Sequence, residues 1–215
     1  MSENIRELES NKSGDWAWRV ALPFPPQGSW TEQDYLSLDS GRLVEYADGS
    51  IEVHDTPTIE HQRIVRYLFG ILAQCVHQYS MGEVFFAPLP VQLWRQKFRE
   101  PDIVFISSNR DPFTGNYPDG ADLVIEVVSE GNDARIRDVT IKVDEYAKAK
   151  ITEYWVVDPM TEQVIVYRDP SEGKYLLTEK FCRGQEVVSG QFSVAQIAVS
   201  AVFDARNFPV RRQGE

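Results

Sequence analysis

The spacing of hydrophobic residues in the first half of the chain changes between the periods typical of strands and of helices. Apolar and polar residues alternate from Arg42 to His54 around the pair Asp48-Gly49, which predicts a β-hairpin with its turn at that pair. Farther along, apolar pairs recur at helical spacing from Ile64 to Val76. They predict a long helix with Thr56 as its N-cap and Pro57 in its first turn.

The rest of the chain predicts a mixed sheet with helices on its faces. The other predicted elements are a short helix at Trp30–Leu38, strands at Glu83–Trp94, Asp102–Ile106, Leu123–Val128, Tyr154–Val157 and Val164–Tyr167, and a helix at Asp133–Ala149. Residues 174–203 are expected to add one strand and a short amphipathic end. From the long helix onward the order is α-β-β-β-α-β-β. This order favours an α/β (α+β) fold with a mixed central sheet flanked by helices over an alternately wound one.

The length of 215 residues is compatible with one domain that needs no disulfide or structural metal. We expect residues 1–29, which contain several prolines and tryptophans, to form an extended N-terminal arm, residues 30–205 to form the domain, and residues 206–215 to form a tail. No apolar run approaches the roughly 20 residues of a membrane span. Residues 1–15 are polar rather than signal-like. The sequence therefore predicts a cytoplasmic protein that does not enter a membrane.

The chain is acidic, with 22 lysine and arginine residues against 33 aspartate and glutamate residues and a formal net charge of −11. Proteins that coat nucleic acid neutralise phosphates with many basic residues, so this balance argues against that class. It does not exclude a metal-dependent enzyme, because a cation held by carboxylates supplies the positive field at a phosphate. The basic residues that could meet nucleic acid are Arg95, Lys97, Arg99, Arg135, Arg137, Lys142, Lys148 and Lys150, and the alternative is a solvated, salt-bridged surface.

Two acidic residues occupy predicted strands. Asp102 opens one strand, and Glu126 lies inside the apolar run Leu123–Val128. A carboxylate in such a run is costly to bury unless a hydrogen bond, a salt bridge or a metal compensates. Two acids on neighbouring strands favour a divalent metal over two separate ion pairs. Lys142 follows Asp138 by one helical turn, and it either pairs with that acid at the surface or reaches the two strand acids and activates a water.

These residues resemble the motifs of a known family. The segments Pro101-Asp102, Ile125 to Ser129, Asp138 with Lys142 and Tyr146, and Glu153 to Pro159 are similar to those of the Uma-type restriction endonucleases, a bacterial branch of the PD-(D/E)XK nuclease superfamily. The resemblance covers roughly Trp30 to Phe203. It implies a restriction-endonuclease-like fold with an α-β-β-β-α-β core, and the order of predicted elements is compatible with that core.

The resemblance also implies roles for individual residues. Asp102, Glu126 and the backbone carbonyl of Val127 would hold Mg²⁺, with Mn²⁺ as a substitute. The lysine of the superfamily would stand at Val128, which is not a lysine. This departure resembles the branch in which the lysine has moved to the following helix, where Lys142 would orient or help to deprotonate the attacking water.

The resemblance assigns supporting roles as well. Glu60 and the adjacent His61 match the acid and the histidine of the family's N-terminal helix, and Asp138 accompanies them as a supporting residue. Two functions stay open at this point: a magnesium-dependent endonuclease acting on nucleic acid, with DNA favoured, and a nuclease-fold binding or interaction module that does not cut. The net charge of −11 favours the second. Cleavage of both strands needs two active sites, so a homodimer is expected, with the region from Trp16 to Trp30 as its contact.

Overall fold

The computed structural model describes residues 24–110 and 115–207. Most of the arm predicted over residues 1–29, most of the tail predicted over residues 206–215, and most of the predicted dimer contact lie outside the described residues. The described elements are α1 (Glu32–Leu36), β1 (Val44–Ala47), β2 (Ser50–Val53), α2 (Ile59–Tyr79), β3 (Gly82–Phe86), β4 (Val91–Trp94), β5 (Lys97–Arg99), β6 (Ile103–Ser107), β7 (Leu123–Val127), α3 (Asn132–Ile136), a π-helical turn (Arg137–Ile141), α4 (Lys142–Lys148), β8 (Glu153–Asp158), β9 (Gln163–Ser171), β10 (Lys174–Cys182) and α5 (Val199–Asp204).

A six-stranded mixed sheet forms the centre of the fold, in the order β10-β9-β8-β7-β6-β3. The neighbours β7 and β8 are parallel, and the other pairs are antiparallel. The chain passes from β7 to β8 through α3 and α4, as a parallel pair requires. The predicted α+β fold class with a mixed central sheet is therefore confirmed.

Helices cover both faces of this main sheet, because successive strand residues point to opposite sides. On one face, Ile103 and Phe105 of β6 pack with Leu68 of α2 and with residues of α5. On the other face, Val104 packs with Tyr146 of α4. The two apolar layers account for the nearly continuous hydrophobic strands of the sequence. Within the described ranges, every helix is too short or too polar to cross a lipid bilayer.

A second, antiparallel sheet of four strands lies beside the main one, in the order β2-β1-β5-β4, and it was not predicted. The predicted hairpin is confirmed as β1 and β2, with Gly49 at φ 82° in the turn. The sequence over Glu83–Trp94 predicts one strand interrupted by Pro88 and Pro90, and the structure has two separate strands there, because β3 joins the main sheet and β4 joins the second sheet. Pro88 and Pro90, which donate no backbone hydrogen bond, occupy the crossing between the sheets.

The long helix starts two residues later than the sequence suggested. Thr58, rather than Thr56, is the N-cap, and its hydroxyl oxygen accepts a hydrogen bond from the backbone N–H of His61 at 3.2 Å. Pro57 therefore precedes the helix instead of opening it. The stripe formed by His61, Ile64, Val65, Leu68 and Leu72 is buried against the main sheet. This stripe brings the first turn of α2 to the end of β6.

The helix predicted over Asp133–Ala149 is interrupted by the π-helical turn. In that turn the backbone N–H of Lys142 donates to the carbonyl of Arg137, five residues back instead of four. Ile136 of α3 is 54% exposed, whereas Tyr146 of α4 is fully buried. The wider turn thus separates the burial pattern of α3 from that of α4.

Leu68 tests the packing of α2 on the main sheet. Its side chain is fully buried, so Leu68→Ala leaves a cavity, and we expect a loss of about 2–5 kcal/mol in the free energy of unfolding. Gln74→Ala, at an exposed position of the same helix, serves as the control and should change that value by less than about 0.5 kcal/mol. Urea denaturation measures both, and equal losses would contradict the placement of Leu68.

Candidate active site

The two strand acids meet at one end of the pair β6 and β7. The antiparallel register pairs Ile103 with Ile125, so Asp102 and Glu126 are cross-strand neighbours one step beyond that pair. The carboxylate oxygen Oδ2 of Asp102 accepts a hydrogen bond of 2.8 Å from the backbone N–H of Val127. All three residues line a cleft of about 480 Å³ between the two sheets. The predicted neighbourhood of the two acids is therefore present.

His61 contacts Asp102 from the first turn of α2. Its Nε2 lies 3.1 Å from Oδ2 of Asp102. Burial lowers the pKa of His61, but the hydrogen bond and the charge of Asp102 outweigh it and leave that pKa raised. The neighbouring Glu60 is exposed and faces an adjoining depression that it shares with His61 and Ser129. Of the two helix residues expected at the site, only the histidine reaches a strand acid.

Lys142 is buried among carboxylates rather than exposed in a surface pair. Its Nζ lies 2.7 Å from Oε1 of Glu126, 3.1 Å from Oε1 of Glu45 and 3.6 Å from Oδ1 of Asp138. These acids come from β7, β1 and the π-helical turn. Three close carboxylates raise the pKa of Lys142 even though burial opposes protonation. These contacts stabilise the protonated, ammonium form of the lysine.

Glu126 also accepts a hydrogen bond from Tyr146 of α4. The phenolic O–H donates to Oε1 of Glu126 at 2.7 Å, the same oxygen that Lys142 contacts. Both donors follow the π-helical turn, so the start of α4 fixes the orientation of this carboxylate. The motif that carries the family resemblance includes Tyr146 but assigns no function to it.

Glu45 is the site residue that the sequence analysis missed. It is fully buried on β1, and besides Lys142 its carboxylate accepts a charged hydrogen bond from Nη1 of Arg99 at 2.5 Å. The Nε2 of His54 lies 3.0 Å from it. Glu45 thereby joins the second sheet to the acids of the main sheet. A signal was available, because the alternating pattern puts Glu45 on the same face as the apolar Leu43 and Ala47.

Carboxylates outnumber the cations that face them in this cluster. Burial raises the pKa of Glu126 to about 8 despite Lys142, with repulsion from Asp138 and Asp102 adding to the rise. Burial also raises the pKa of Asp138, again against the charge of Lys142. Burial acts the same way on Glu45, but Lys142 and Arg99 together hold its pKa well below the usual range. Lys142 is thus shared by three acids, while Arg99 also faces Glu45 and Arg137 also faces Asp138.

The two strand acids offer the donor atoms that a hard divalent cation requires. Their bonded oxygens are Oδ2 of Asp102 and Oε1 of Glu126. Among the described residues, Oδ1 of Asp102 and Oε2 of Glu126 accept no protein hydrogen bond, and both side chains line the cleft. Carboxylate oxygen is the ligand that Mg²⁺ and Mn²⁺ prefer. The residues present therefore fit such an ion.

A second acidic group lies close by, formed by Glu45, Glu52 and His54, whose ligand atoms are within 4.8 Å of one another. It is the poorer cation site. Both oxygens of Glu45 are engaged, one by Lys142 and the other by Arg99. A cation there would meet two positive side chains at short range.

Several basic residues considered for nucleic-acid contact are committed elsewhere. Lys97 and Arg99 are buried and pair with Glu145. Arg135 pairs with Asp158 at 2.8 Å and Arg137 with Glu52 at 3.0 Å. For Lys97 and Arg99 the expectation of a phosphate contact is wrong, because both are buried and their charges balance Glu145 on α4 and, for Arg99, the buried Glu45.

Comparisons with known proteins agree with the motif resemblance. A family model, Uma2, described as a putative restriction endonuclease, matches residues 32–200. Among solved structures, a putative nuclease belonging to DUF820 from Anabaena variabilis is 22% identical, with a TM-score of 0.68, and the match covers 82% of this chain and 99% of that one. At this identity the likeness concerns the fold. No curated protein matches the sequence.

Glu45 tests the electrostatic link between the sheets. Glu45→Gln keeps the volume of the side chain but removes the charge between Arg99 and Lys142, so we expect the free energy of unfolding to fall by about 3 kcal/mol. The matched control is Glu52→Gln, at a 49% exposed side chain that pairs with Arg137, with an expected change below about 1 kcal/mol. Urea denaturation at neutral pH measures both. Similar values for the two variants would contradict a structural role for the buried charge.

Proposed function

Because the chain belongs to the Uma2 family of putative restriction endonucleases, we propose that it is a magnesium-dependent endonuclease that hydrolyses phosphodiester bonds of nucleic acid, with DNA as its substrate. One observation supports the proposal above the others. Asp102 and Glu126, on adjacent strands, line the same cleft, and among the described residues the hydrogen bonds to them engage Oδ2 of Asp102 and Oε1 of Glu126, which leaves one oxygen of each for an ion. Manganese would serve as a substitute, since both ions take oxygen ligands.

The carboxylates of Asp102 and Glu126 would hold the ion, together with the carbonyl of Val127 as the resemblance implies. Bound there, a divalent ion polarises a phosphodiester and lowers the pKa of a coordinated water. The protein contributes the orientation of its ligands. His61 and the Val127 N–H fix one oxygen of Asp102, and Tyr146 and Lys142 fix one oxygen of Glu126. Such outer contacts typically set ligand geometry.

Lys142 would act as a fixed positive charge. Its ammonium group lies 2.7 Å from Glu126 at the edge of the cleft, where it can stabilise negative charge that develops on a phosphate oxygen. Removal of a proton from the attacking water is left to another group or to solvent, because this amine stays protonated between its three carboxylates. The proposal also includes the homodimer expected from the sequence, in which each copy contributes one such site.

Substitution of the strand acids tests the proposed activity. Asp102→Asn and Glu126→Gln keep the shape of each side chain but remove the charge that the ion needs. We expect calorimetry to detect Mg²⁺ binding by the unaltered protein and none by either variant. Cleavage of labelled single-stranded and duplex DNA in magnesium should fall by a factor of about 10³.

The matched control for the acids is Glu130→Gln. Glu130 is an exposed carboxylate in the adjoining depression, so its variant should bind the ion and cleave as the unaltered protein does. Circular dichroism confirms that each variant is folded. Full cleavage by folded Asp102→Asn would refute the assignment. Absence of any cleavage or ion binding by the unaltered protein would favour the non-cutting binding module instead.

Tyr146 tests whether the orientation of Glu126 matters for the ion. Tyr146→Phe removes the hydroxyl that donates to Oε1 but keeps the ring and its packing against Tyr154. We expect the affinity for Mg²⁺ to fall by about 10- to 100-fold. Tyr175→Phe is the control, because it loses an equivalent hydrogen bond to the carbonyl of Ile151, outside the site. Equal affinities for the two variants in calorimetry would rule out this role of Tyr146.

A further inference from the structure

A second groove runs along the outer face of α2, beside the candidate active site. Residues at helical spacing, Ile59, Gln62, Arg63, Arg66 and Phe69, form one wall with Val65, and Phe86 at the end of β3 forms the other. The groove has a volume of about 510 Å³. It uses none of the acids, the lysine or the histidine of the active site.

The charge of this groove is opposite to that of the whole chain. Arg63 and Arg66 contribute two positive charges one helical turn apart, and among the described residues that line the groove none is acidic. The chain as a whole carries a formal charge of −11. Arg66 is exposed, and Arg63 is partly buried, with Nη1 donating to the carbonyl of Arg206. A polyanion is therefore the occupant whose charge this surface fits.

Two large apolar side chains that line the groove are more than half exposed to solvent. Phe86 is 58% exposed and Ile59 is 67% exposed. The ring of Phe86 rests edge-on against Phe69, with 5.0 Å between the centroids and an angle of 84° between the planes. Phe69 thus holds the ring of Phe86 in place and leaves more than half of that side chain open. An open aromatic ring beside arginines is the combination that stacks unpaired bases while cations bind the backbone.

The groove continues into the candidate active site. Gln62 lines both cavities, and Ala87 and Pro88, which directly follow Phe86, line the cleft that holds the two strand acids. From His61, which contacts Asp102, to Arg66 the helix rises by about 7.5 Å. A strand whose phosphate lay at the acids would therefore enter this groove past Gln62, which lines both cavities.

From these observations we propose that the groove binds a single-stranded segment of nucleic acid, with a base stacked on Phe86 and a phosphate bound by Arg66. The inference rests on the proposed nuclease function and narrows its substrate to an unpaired strand. The faces of the bases are inaccessible inside a duplex. A base can therefore stack on Phe86 only where the bases next to the cut are unpaired. Both residues are positioning residues for the substrate and take no part in the chemistry.

Binding in the absence of divalent metal tests the groove without requiring catalysis. The probe is a fluorescein-labelled single-stranded oligonucleotide of mixed sequence, titrated with the full chain in EDTA and followed by anisotropy. Phe86→Ala should raise the Kd about tenfold or more, with an unchanged dependence on salt. Arg66→Gln should raise the Kd and reduce the slope of log K against log salt by about 0.7, as expected for one lost phosphate contact on a single strand.

Matched controls come from the opposite edge strand of the main sheet. Leu176→Ala removes a side chain that is 69% exposed, and Lys174→Gln removes an exposed charge, both on β10. Neither should change the Kd. A duplex of the same sequence should bind more weakly than the single strand, and Phe86→Ala should not affect duplex binding.

Four results would overturn the proposal. The first is unchanged single-strand affinity in Phe86→Ala and Arg66→Gln. The second is a duplex that binds as tightly as the single strand and loses affinity equally in the variants. The third is no binding by the unaltered chain. The fourth is light scattering showing that Phe86→Ala breaks a dimer, which would make the groove a contact between copies. The nuclease proposal fails separately, if the unaltered protein binds the strand but never cuts it in magnesium.

Discussion

The burial of a single ammonium group among three carboxylates is the constraint on which the candidate site depends. Lys142 belongs to the helical layer, Glu126 to the main sheet, Glu45 to the second sheet and Asp138 to the π-helical turn. Each ion would be costly to bury alone, so none of these elements can be displaced without leaving a charge uncompensated. The cluster therefore fixes how the two sheets and the helical layer meet.

The same cluster explains why an acidic protein can present a place for another cation. Burial raises the pKa values of Glu126 and Asp138 despite the charge of Lys142, and repulsion from the neighbouring acids adds to the rise. Arg99 and Lys97 relieve only the side of the cluster that faces the second sheet, where Glu45 and Glu145 lie. The side that faces the cleft keeps its negative potential. The net charge of the chain thus does not predict which ions each surface binds. Likewise, Arg63 and Arg66 on α2 place positive charge along a groove of this acidic chain.

Local sequence patterns were sufficient to predict the elements that have a turn motif or a regular apolar spacing of their own. The Asp48-Gly49 pair identified the hairpin, and the helical stripe identified α2. The apolar runs around Asp102 and Glu126 placed the two acids on adjacent strands. The strand β5 has only three residues, Lys97–Arg99, and carries two charges, so nothing local marks it as buried. Its charges are matched by Glu45, Glu52 and Glu145, all far away in sequence. This long-range pairing forms the second sheet and brings Glu45 into the site. It also buries Lys97 and Arg99, which the sequence had suggested as contacts for phosphate.

The π-helical turn also changes the direction in which the following side chains face around the helix axis. A residue added to one turn rotates everything beyond it by about 100° around the helix axis. The face that α3 presents is therefore out of step with the face that α4 presents, while Asp138 and Lys142, four residues apart, remain within 3.6 Å of each other. A relative with one residue fewer in this segment would have a continuous α-helix, in which the residues after the turn are rotated by about 100° relative to those before it. Alignments of this region need a single-residue gap to compare equivalent side chains, and an ungapped alignment would pair residues that face different layers of the protein.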